Sequence, residues 1–166
     1  MLTNEKLKSS ISAKWHIHNI SSYTAVMVIF LGIMLSIASY ASLIREENFS
    51  YVLHITGIVF LFFLIPILPF IVYEIHKYRS LLKDIEKYEL CEAKLDRPST
   101  SSFARGAVYY TVSFTTADGE QITTDTKSMW SSSIFAKNQL EKYNNKTVTL
   151  AYDKENNRLI VIELKK

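Results

Sequence analysis

The sequence is poor in the residue types from which reactive sites are built. It contains a single cysteine, Cys91, among 166 residues, so no disulfide can form within the chain, as is usual for proteins of reducing compartments. Cys91 begins a predicted strand with no histidine nearby in sequence, and we interpret it as a small packed thiol rather than a nucleophile. His16 and His18 point to different sides of a helix, with no Cys or carboxylate cluster beside them. The sequence therefore predicts no catalytic residue, no metal site and no cofactor.

Two long stretches lack every charged residue type. Residues 23–44 and 51–73 contain no Asp, Glu, Lys or Arg, and each is long enough to cross the hydrocarbon core of a bilayer as a helix. The first stretch exceeds the apolar region of a signal peptide, so we interpret it as an uncleaved anchor. Because only a short connection separates the two stretches, they predict an antiparallel transmembrane hairpin over residues 21–73. Apart from His54 near one end, neither holds a group suited to ion-coupled transport.

Basic residues flank this hairpin on one side. Three lysines precede the first stretch and four basic residues follow the second, whereas the connection holds only Arg45. Lys and Arg near spans are retained in the cytoplasm, so both termini are predicted to be cytoplasmic. The flanking residues are Lys6, Lys8, Lys14, Lys77, Arg79, Lys83 and Lys87.

The net charge gives no support to nucleic-acid binding. Residues 90–166 hold eleven Lys plus Arg against nine Asp plus Glu, which is far from the clustered basic face of a nucleic-acid module. Much of the formal excess of +3 lies beside the predicted membrane, where it would meet anionic lipid headgroups. Membrane lipids are therefore the expected charged partners.

Helical patterns extend beyond the two apolar stretches. In residues 1–20, Leu7, Ile11 and Trp15 form a stripe, which fits either a helix lying on the inner leaflet or a frayed tail. Gly32 and Ser36 form a small-residue pair, where either the second span or a second copy of the chain could approach closely. Pro66 and Pro69 predict a kink in the second span. Residues 74–89 predict an amphipathic stalk helix, with apolar residues at Ile75, Tyr78, Leu82 and Ile85.

The last part of the chain, residues 90–166, alternates with the period of strands. The pattern predicts strands over 90–96, 107–115, 121–126, 147–152 and 158–164, and a short helix from Ser131 or Ser132 to about Tyr143. Residues 117–120 predict a hairpin turn in which Gly119 takes a positive φ. Five strands and one helix suit a small, partly open β barrel of the OB or SH3 type. The predicted fold class is thus a transmembrane helical hairpin, a stalk helix and a small β domain.

Several motifs in this β domain resemble a known family. They are Tyr110-x-Val112-x-Phe114, the Asp118-Gly119 turn, a Thr-rich return strand and Val148-x-Leu150-x-Tyr152-Asp153. Together they resemble a widespread family of uncharacterised, mostly bacterial membrane proteins with a small β domain, over about half of the chain. Members commonly have Gly where this chain has Asn145, which also tolerates the left-handed conformation. The resemblance implies a multi-pass protein of the bacterial inner membrane, and no enzyme activity, ligand or catalytic residue.

Three hypotheses for function follow. The first is a non-enzymatic, cytoplasm-facing β module that binds an unidentified protein partner or forms a homodimer, and so acts as a regulator or accessory subunit. The alternative is an immunity or exclusion protein that acts against a membrane-active toxin or a conjugation partner. The second alternative is a membrane-interface enzyme whose site would combine His16, His18, His76 and Cys91.

Overall fold

A computed structural model describes residues 2–45, 48–100, 108–126, 129 and 143–165 of the chain. These residues divide into two compact units. The helical unit is His18–Lys77, and the β unit combines Met1–Ile17 with Tyr78–Lys166. The β unit thus contains residues that precede the first apolar stretch as well as residues that follow the second.

Two long helices account for the apolar stretches. Helix α1 (Asn4–Lys8) is a short helix, α2 (Ile11–Arg45) follows it, and α3 (Phe49–Leu81) runs through both of its prolines. In the segments Ile11–Ile44 and Ser50–Leu81, the 18-residue apolar windows have mean hydropathies of 2.2 and 2.7, and only 6% of each window is buried. Core helices of soluble proteins are mostly buried, so this exposure fits helices that face lipid. The prediction of two helices long and apolar enough to cross a membrane is confirmed.

Within the helical unit, α2 and α3 pair antiparallel along one face. Tyr23 lies against Phe70 with ring centroids 6.0 Å apart, and Phe30 lies against Phe63 at 4.3 Å. At one end of the α2–α3 interface, beyond Tyr23 and Phe70, the Asn19 amide Nδ2 donates a hydrogen bond of 3.0 Å to Oε1 of Glu74. Burial of the Glu74 side chain fits this pairing, because a buried carboxylate needs hydrogen-bond donors.

Of the two approaches predicted at Gly32, that of the second span is not found among the described residues, and that of a second copy stays a prediction. A Cβ atom built on Gly32 would meet no described atom within 4 Å, and the Ser36 hydroxyl instead donates to the Gly32 carbonyl within the same helix. The small side chains buried in the hairpin are Ala38 and Thr56. Gly32 lies about half a helical turn away from Phe30, so it faces away from α3.

The β unit is built on a five-stranded antiparallel sheet. Its strands follow the order β3-β2-β1-β4-β5, and their bounds are β1 (Glu89–Thr100), β2 (Val108–Thr115), β3 (Gln121–Asp125), β4 (Thr147–Asp153) and β5 (Arg158–Leu164). Among the described strands, β3 and β5 are the two edges, so the sheet is open. An antiparallel β domain is therefore confirmed, whereas the OB-like or SH3-like barrel is not.

The helix predicted from Ser131 or Ser132 to about Tyr143 lies outside the described residues, except for Tyr143 itself. The Tyr143 side chain is buried.

Several turn residues have a left-handed backbone, and for Gly119 this confirms the prediction from the sequence. Gly119 has φ of 81° in the β2–β3 turn, and Asn145 has φ of 58° before β4. Asp84 also lies in the left-handed region, with φ of 56°, and it follows the end of α3. A left-handed residue interrupts a right-handed helix, so α3, which ends at Leu81, cannot continue through Asp84 to residue 89 as the stalk prediction requires. A short 3-10 turn, Ile85–Lys87, follows.

Both faces of the sheet carry apolar clusters. On the core face, Tyr110, Val112 and Phe114 pack with Leu150 and Val161, as the alternation in β2 predicts. On the opposite face, called the outer face here, Ile160 and Ile162 of β5 pack against Leu7 and Leu81 from the helical segments. The side chain of Leu7 is fully buried there. Residues 2–17, called the N-terminal segment here, thus pack on the sheet through Leu7 and Ala13 and are not a frayed tail.

Candidate interaction surface

The outer face of the sheet is divided into an apolar half and a polar half. The apolar half, on β4 and β5, is covered by the chain's own segments through contacts that bury Leu7, Ala13 and Leu81. The polar half, on β2 and β3, is open to solvent at Ser113 and Thr123. This division follows from the sequence, because alternate positions on β2 and β3 are Ser, Thr, Gln or Asp where β5 has isoleucine.

Hydrogen bonds between side chains order the polar half. The Thr111 hydroxyl donates to Oδ1 of Asp125 at 2.9 Å, and the hydroxyls of Ser113 and Thr123 share a hydrogen bond of 2.8 Å. These are directly opposite pairs of the β2–β3 ladder. Cross-strand pairs of this kind contribute up to about 1 kcal/mol each to sheet stability. The surface that they form is polar and fixed in register.

The two edges of the sheet differ in how their backbone groups are satisfied. On β5, the Val161 N–H donates a hydrogen bond of 3.0 Å to Oγ of Ser12, at the start of α2. Ser10 fixes that start, because its side-chain oxygen accepts from the Ala13 N–H at 3.0 Å as a helix cap. The N-terminal segment therefore occupies the β5 edge at Val161. Strand β3 has no strand on its outer side among the described residues.

The motif residues that support the family resemblance have structural roles. The Tyr152 ring packs edge to face on Phe114, with centroids 5.1 Å apart, and the Tyr152 hydroxyl donates to Oδ1 of Asn157 at 3.4 Å. Asp153 is fully buried and accepts from the backbone N–H of Asn156 at 3.2 Å and from its Nδ2 at 2.7 Å. Burial alone would raise the pKa of Asp153, but the hydrogen bonds from Asn156 and the nearby charge of Arg158 hold it below its ordinary value. Asp153 thus stabilises the β4–β5 turn as an anion.

Ion pairs join the turns at one end of the sheet. Nζ of Lys154 lies 3.1 Å from Oδ2 of Asp118 and 2.9 Å from Oε2 of Glu120. Hydrogen bonds to these two carboxylates raise the pKa of Lys154 to about 12. All three side chains are exposed to solvent, and exposed ion pairs contribute little to stability. They show that the β2–β3 and β4–β5 turns are neighbours.

The residues considered for catalysis do not form a metal site. In the described part of the chain, no group of three His, Cys, Asp or Glu side chains is arranged to hold a metal ion. His16 belongs to the β unit, whereas His18 and His76 belong to the helical unit. Cys91 is a buried free thiol in the core cluster, and burial raises its pKa. A raised pKa keeps the thiol protonated at neutral pH, which disfavours nucleophilic chemistry.

The helical unit contains an apolar cavity of about 250 Å³ between α2 and α3. Phe30, Phe60 and Phe63 contribute to its lining, and its described lining carries no polar surface. A cavity of this composition offers no group that could orient a ligand or assist a reaction. It gives no reason to place a reactive site in the helical unit.

No protein-family model, curated protein or solved structure matches the chain.

Proposed function

We propose that the chain is a non-enzymatic, membrane-anchored module whose β unit lies on the cytoplasmic side and acts through contacts with protein, as a regulator or accessory subunit. Helices α2 and α3 are the anchor. The β unit provides the interaction surface, through the polar outer face and the edge of β3. The resemblance to bacterial membrane proteins with a small β domain favours the bacterial inner membrane as its location.

The observation that carries this proposal is that the β unit is formed by two segments that are far apart in sequence. Met1–Ile17 and Tyr78–Lys166 pack into one unit, although His18–Lys77, which includes both apolar stretches, separates them in sequence. A chain that crosses a membrane twice returns to the side from which it started, so two crossings agree with this packing. The basic residues in both segments favour the cytoplasm for that side.

Packing of the N-terminal segment also favours an uncleaved first helix. Leu7 and Ser10 are fully buried in the β unit, and Ser12 accepts the Val161 N–H. Removal of this segment would expose the apolar outer face and leave a buried N–H without its acceptor, at a cost of about 1–3 kcal/mol for the N–H alone. A segment with these contacts is part of the folded protein.

Strand addition is the mode of protein binding that the β unit supports best. In this mode, an extended segment of a partner pairs with an exposed sheet edge, and main-chain hydrogen bonds supply most of the affinity. Strand β5 is protected by Ser12, whereas the backbone of β3 is open among the described residues. The five residues of β3 alternate between exposed and half-buried side chains, so an added strand could place polar residues outward and apolar residues toward the core.

Two measurements on the full-length chain test this proposal. For orientation, single cysteines are placed at exposed Asp118 or Glu155 in a Cys91→Ala background and labelled with a membrane-impermeant maleimide. We expect labelling in inside-out vesicles and none in intact cells. Labelling in intact cells would contradict the cytoplasmic location.

For partner binding, a photo-crosslinking residue replaces Gln121 on β3, and the matched control carries it at exposed Glu155 in the β4–β5 turn. We expect the Gln121 position to capture the same protein reproducibly in native membranes, and the Glu155 position to capture much less of it. Equal capture at both positions, or capture at neither, would contradict binding through β3.

A further inference from the structure

Along β3, alternate residues direct their backbone N–H and C=O groups toward β2, and the residues between them direct these groups away from the sheet. The Thr116 N–H donates to the Glu120 carbonyl, and the Thr126 N–H donates to the Tyr110 carbonyl, at 2.9 and 2.8 Å. Glu120 and Thr126 are therefore bonded to β2 at the two ends of β3. Because bonded pairs recur at every second residue of an antiparallel ladder, Ile122 and Thr124 between them also direct their backbone N–H and C=O groups toward β2. The N–H and C=O groups of Gln121, Thr123 and Asp125 therefore point away from the sheet.

The side chains of these three residues share the outer face. Gln121 and Asp125 lie at equal distances on either side of Thr123, and all three are exposed. In a two-fold symmetric pairing centred on Thr123, Gln121 would lie opposite Asp125 of the second copy, and Thr123 opposite itself. An amide donor then meets a carboxylate acceptor twice, and two hydroxyls meet at the centre. Both pairings stabilise antiparallel sheets.

From this complementarity we propose that β3 pairs antiparallel with β3 of a second copy, centred on Thr123, so that the chain forms a homodimer through this edge. The inference rests on the proposed function, since it names the partner of the same edge. Two copies that use the same edge must pair antiparallel, because a two-fold axis relates them. A register shifted to centre on Asp125 would place two carboxylates directly opposite each other, which is destabilising.

The N-terminal segment that protects β5 would limit such an assembly to two copies. Pairing at β3 would join the two sheets into one continuous sheet with β5 at each end. At those ends, the Val161 N–H is already bonded to Ser12, and Leu7 with Ala13 covers the outer face. Further strands are therefore excluded from the ends at these positions, and association stops at two copies instead of continuing into a fibre.

Disulfide formation in membranes tests both the dimer and its register. The full-length chain carries Cys91→Ala, and single cysteines replace residues of β3. In a hydrogen-bonded antiparallel pair, the Cα atoms are about 5.5 Å apart, within the range that a disulfide bridges. We expect Thr123→Cys to give a covalent dimer on mild oxidation.

The neighbouring positions provide matched controls. Gln121→Cys or Asp125→Cys alone would place equivalent cysteines about 13 Å apart along the strand, from four residues of rise, which is too far for a disulfide. These two variants should stay monomeric when expressed separately. They should form a mixed dimer when expressed together with different tags, because residue 121 of one copy then faces residue 125 of the other. The mixed dimer also tests the register if Thr123→Cys fails to fold.

The outcomes separate this inference from the proposed function. A Thr123→Cys dimer together with a mixed dimer supports pairing centred on Thr123. Absence of both dimers, or equal crosslinking at all single positions, overturns it. If both dimers are absent while the photo-crosslinking residue at Gln121 captures a different protein, the homodimer is wrong and the interaction module stands. If that residue captures nothing either, both proposals fail.

Discussion

Ser12 and Val161 are 149 positions apart in sequence and joined by a hydrogen bond of 3.0 Å from the backbone N–H of Val161 to the hydroxyl of Ser12. Both residues are buried. The contact joins the start of α2 to the β unit, and it gives the N-terminal segment a defined role as the cover of one sheet edge.

Loss of the Ser12 hydroxyl should destabilise the β unit. Ser12→Ala leaves the buried Val161 N–H without its acceptor, and we expect the free energy of unfolding to fall by about 1–3 kcal/mol. Pulse proteolysis of the full-length chain in mild detergent at increasing urea concentrations measures this change. Ser9→Ala is the control, because the Ser9 hydroxyl bonds the Lys6 carbonyl in an exposed position, and surface changes usually stay within about 0.5 kcal/mol. Equal urea midpoints for the two variants would contradict the role given to Ser12.

Truncation of Leu7 should have a larger effect than truncation of an exposed leucine in the same unit. Leu7 is 0% exposed, whereas Leu90 on β1 is 44% exposed. Leu7→Ala should cost about 2–5 kcal/mol, since it removes buried methyl groups and leaves a cavity. Leu90→Ala should cost clearly less. If proteolysis of the β unit begins at the same urea concentration in both variants, the N-terminal segment does not contribute to the core.

The conformation of Gly119 allows a test of the β2–β3 turn. Gly119 has φ of 81°, a region that β-branched residues strongly disfavour. Gly119→Val should lower the free energy of unfolding by about 1–3 kcal/mol. Thr115→Val is the control, because it replaces one β-branched side chain by another at an exposed strand position. Denaturation curves that coincide for the two variants would show that the turn is wrongly placed.

The stability of the β unit should depend on the charge of Asp153. Its pKa in the folded state lies below the ordinary value of 3.8, so the unfolded chain binds the proton more readily. The stabilisation is fully present above the ordinary pKa and is lost as the pH falls through the lower, folded pKa. Urea midpoints between pH 6 and pH 3 should therefore fall less steeply for Asp153→Asn than for the unsubstituted chain. Thr115→Val is the control, because it removes no titratable group and lies at an exposed position. Equal slopes for Asp153→Asn and the unsubstituted chain would refute the assignment.

Local patterns in the sequence were sufficient to predict much of the fold. Strand β5 occupies the predicted residues 158–164, and the positive φ of Gly119 follows from its place in a hairpin turn. Asn145, a residue type that tolerates the left-handed conformation, adopts it with φ of 58°. Each of these features depends on residues that are close together in the chain. Alternation with period two and turn chemistry report on such short-range structure directly.

Features that depend on distant residues could not be predicted in the same way. The stripe that includes Leu7 and Ile11 indicates that one face of the N-terminal segment needs an apolar partner, but it does not identify β5 as that partner. The isoleucines of β5 indicate that its outer face needs an apolar cover, but only the contact of Ser12 with Val161 shows that the backbone of this edge is protected as well. The proposal of an interaction surface at β3 therefore rests on the topology of the sheet and not on a sequence motif.

The contact between Ser12 and Val161 also sets the order of events during translation. Ser12 leaves the ribosome well before Val161 is made, and synthesis of the 149 positions between them takes roughly 7 to 30 seconds at about 5–20 residues per second. Throughout this interval the N-terminal segment has no strand to cover, and Leu7 remains accessible to chaperones. The β unit is consequently completed only after translation has passed β5. By then both apolar helices have long been synthesised, and in the proposed membrane-anchored protein they can insert before the β unit folds.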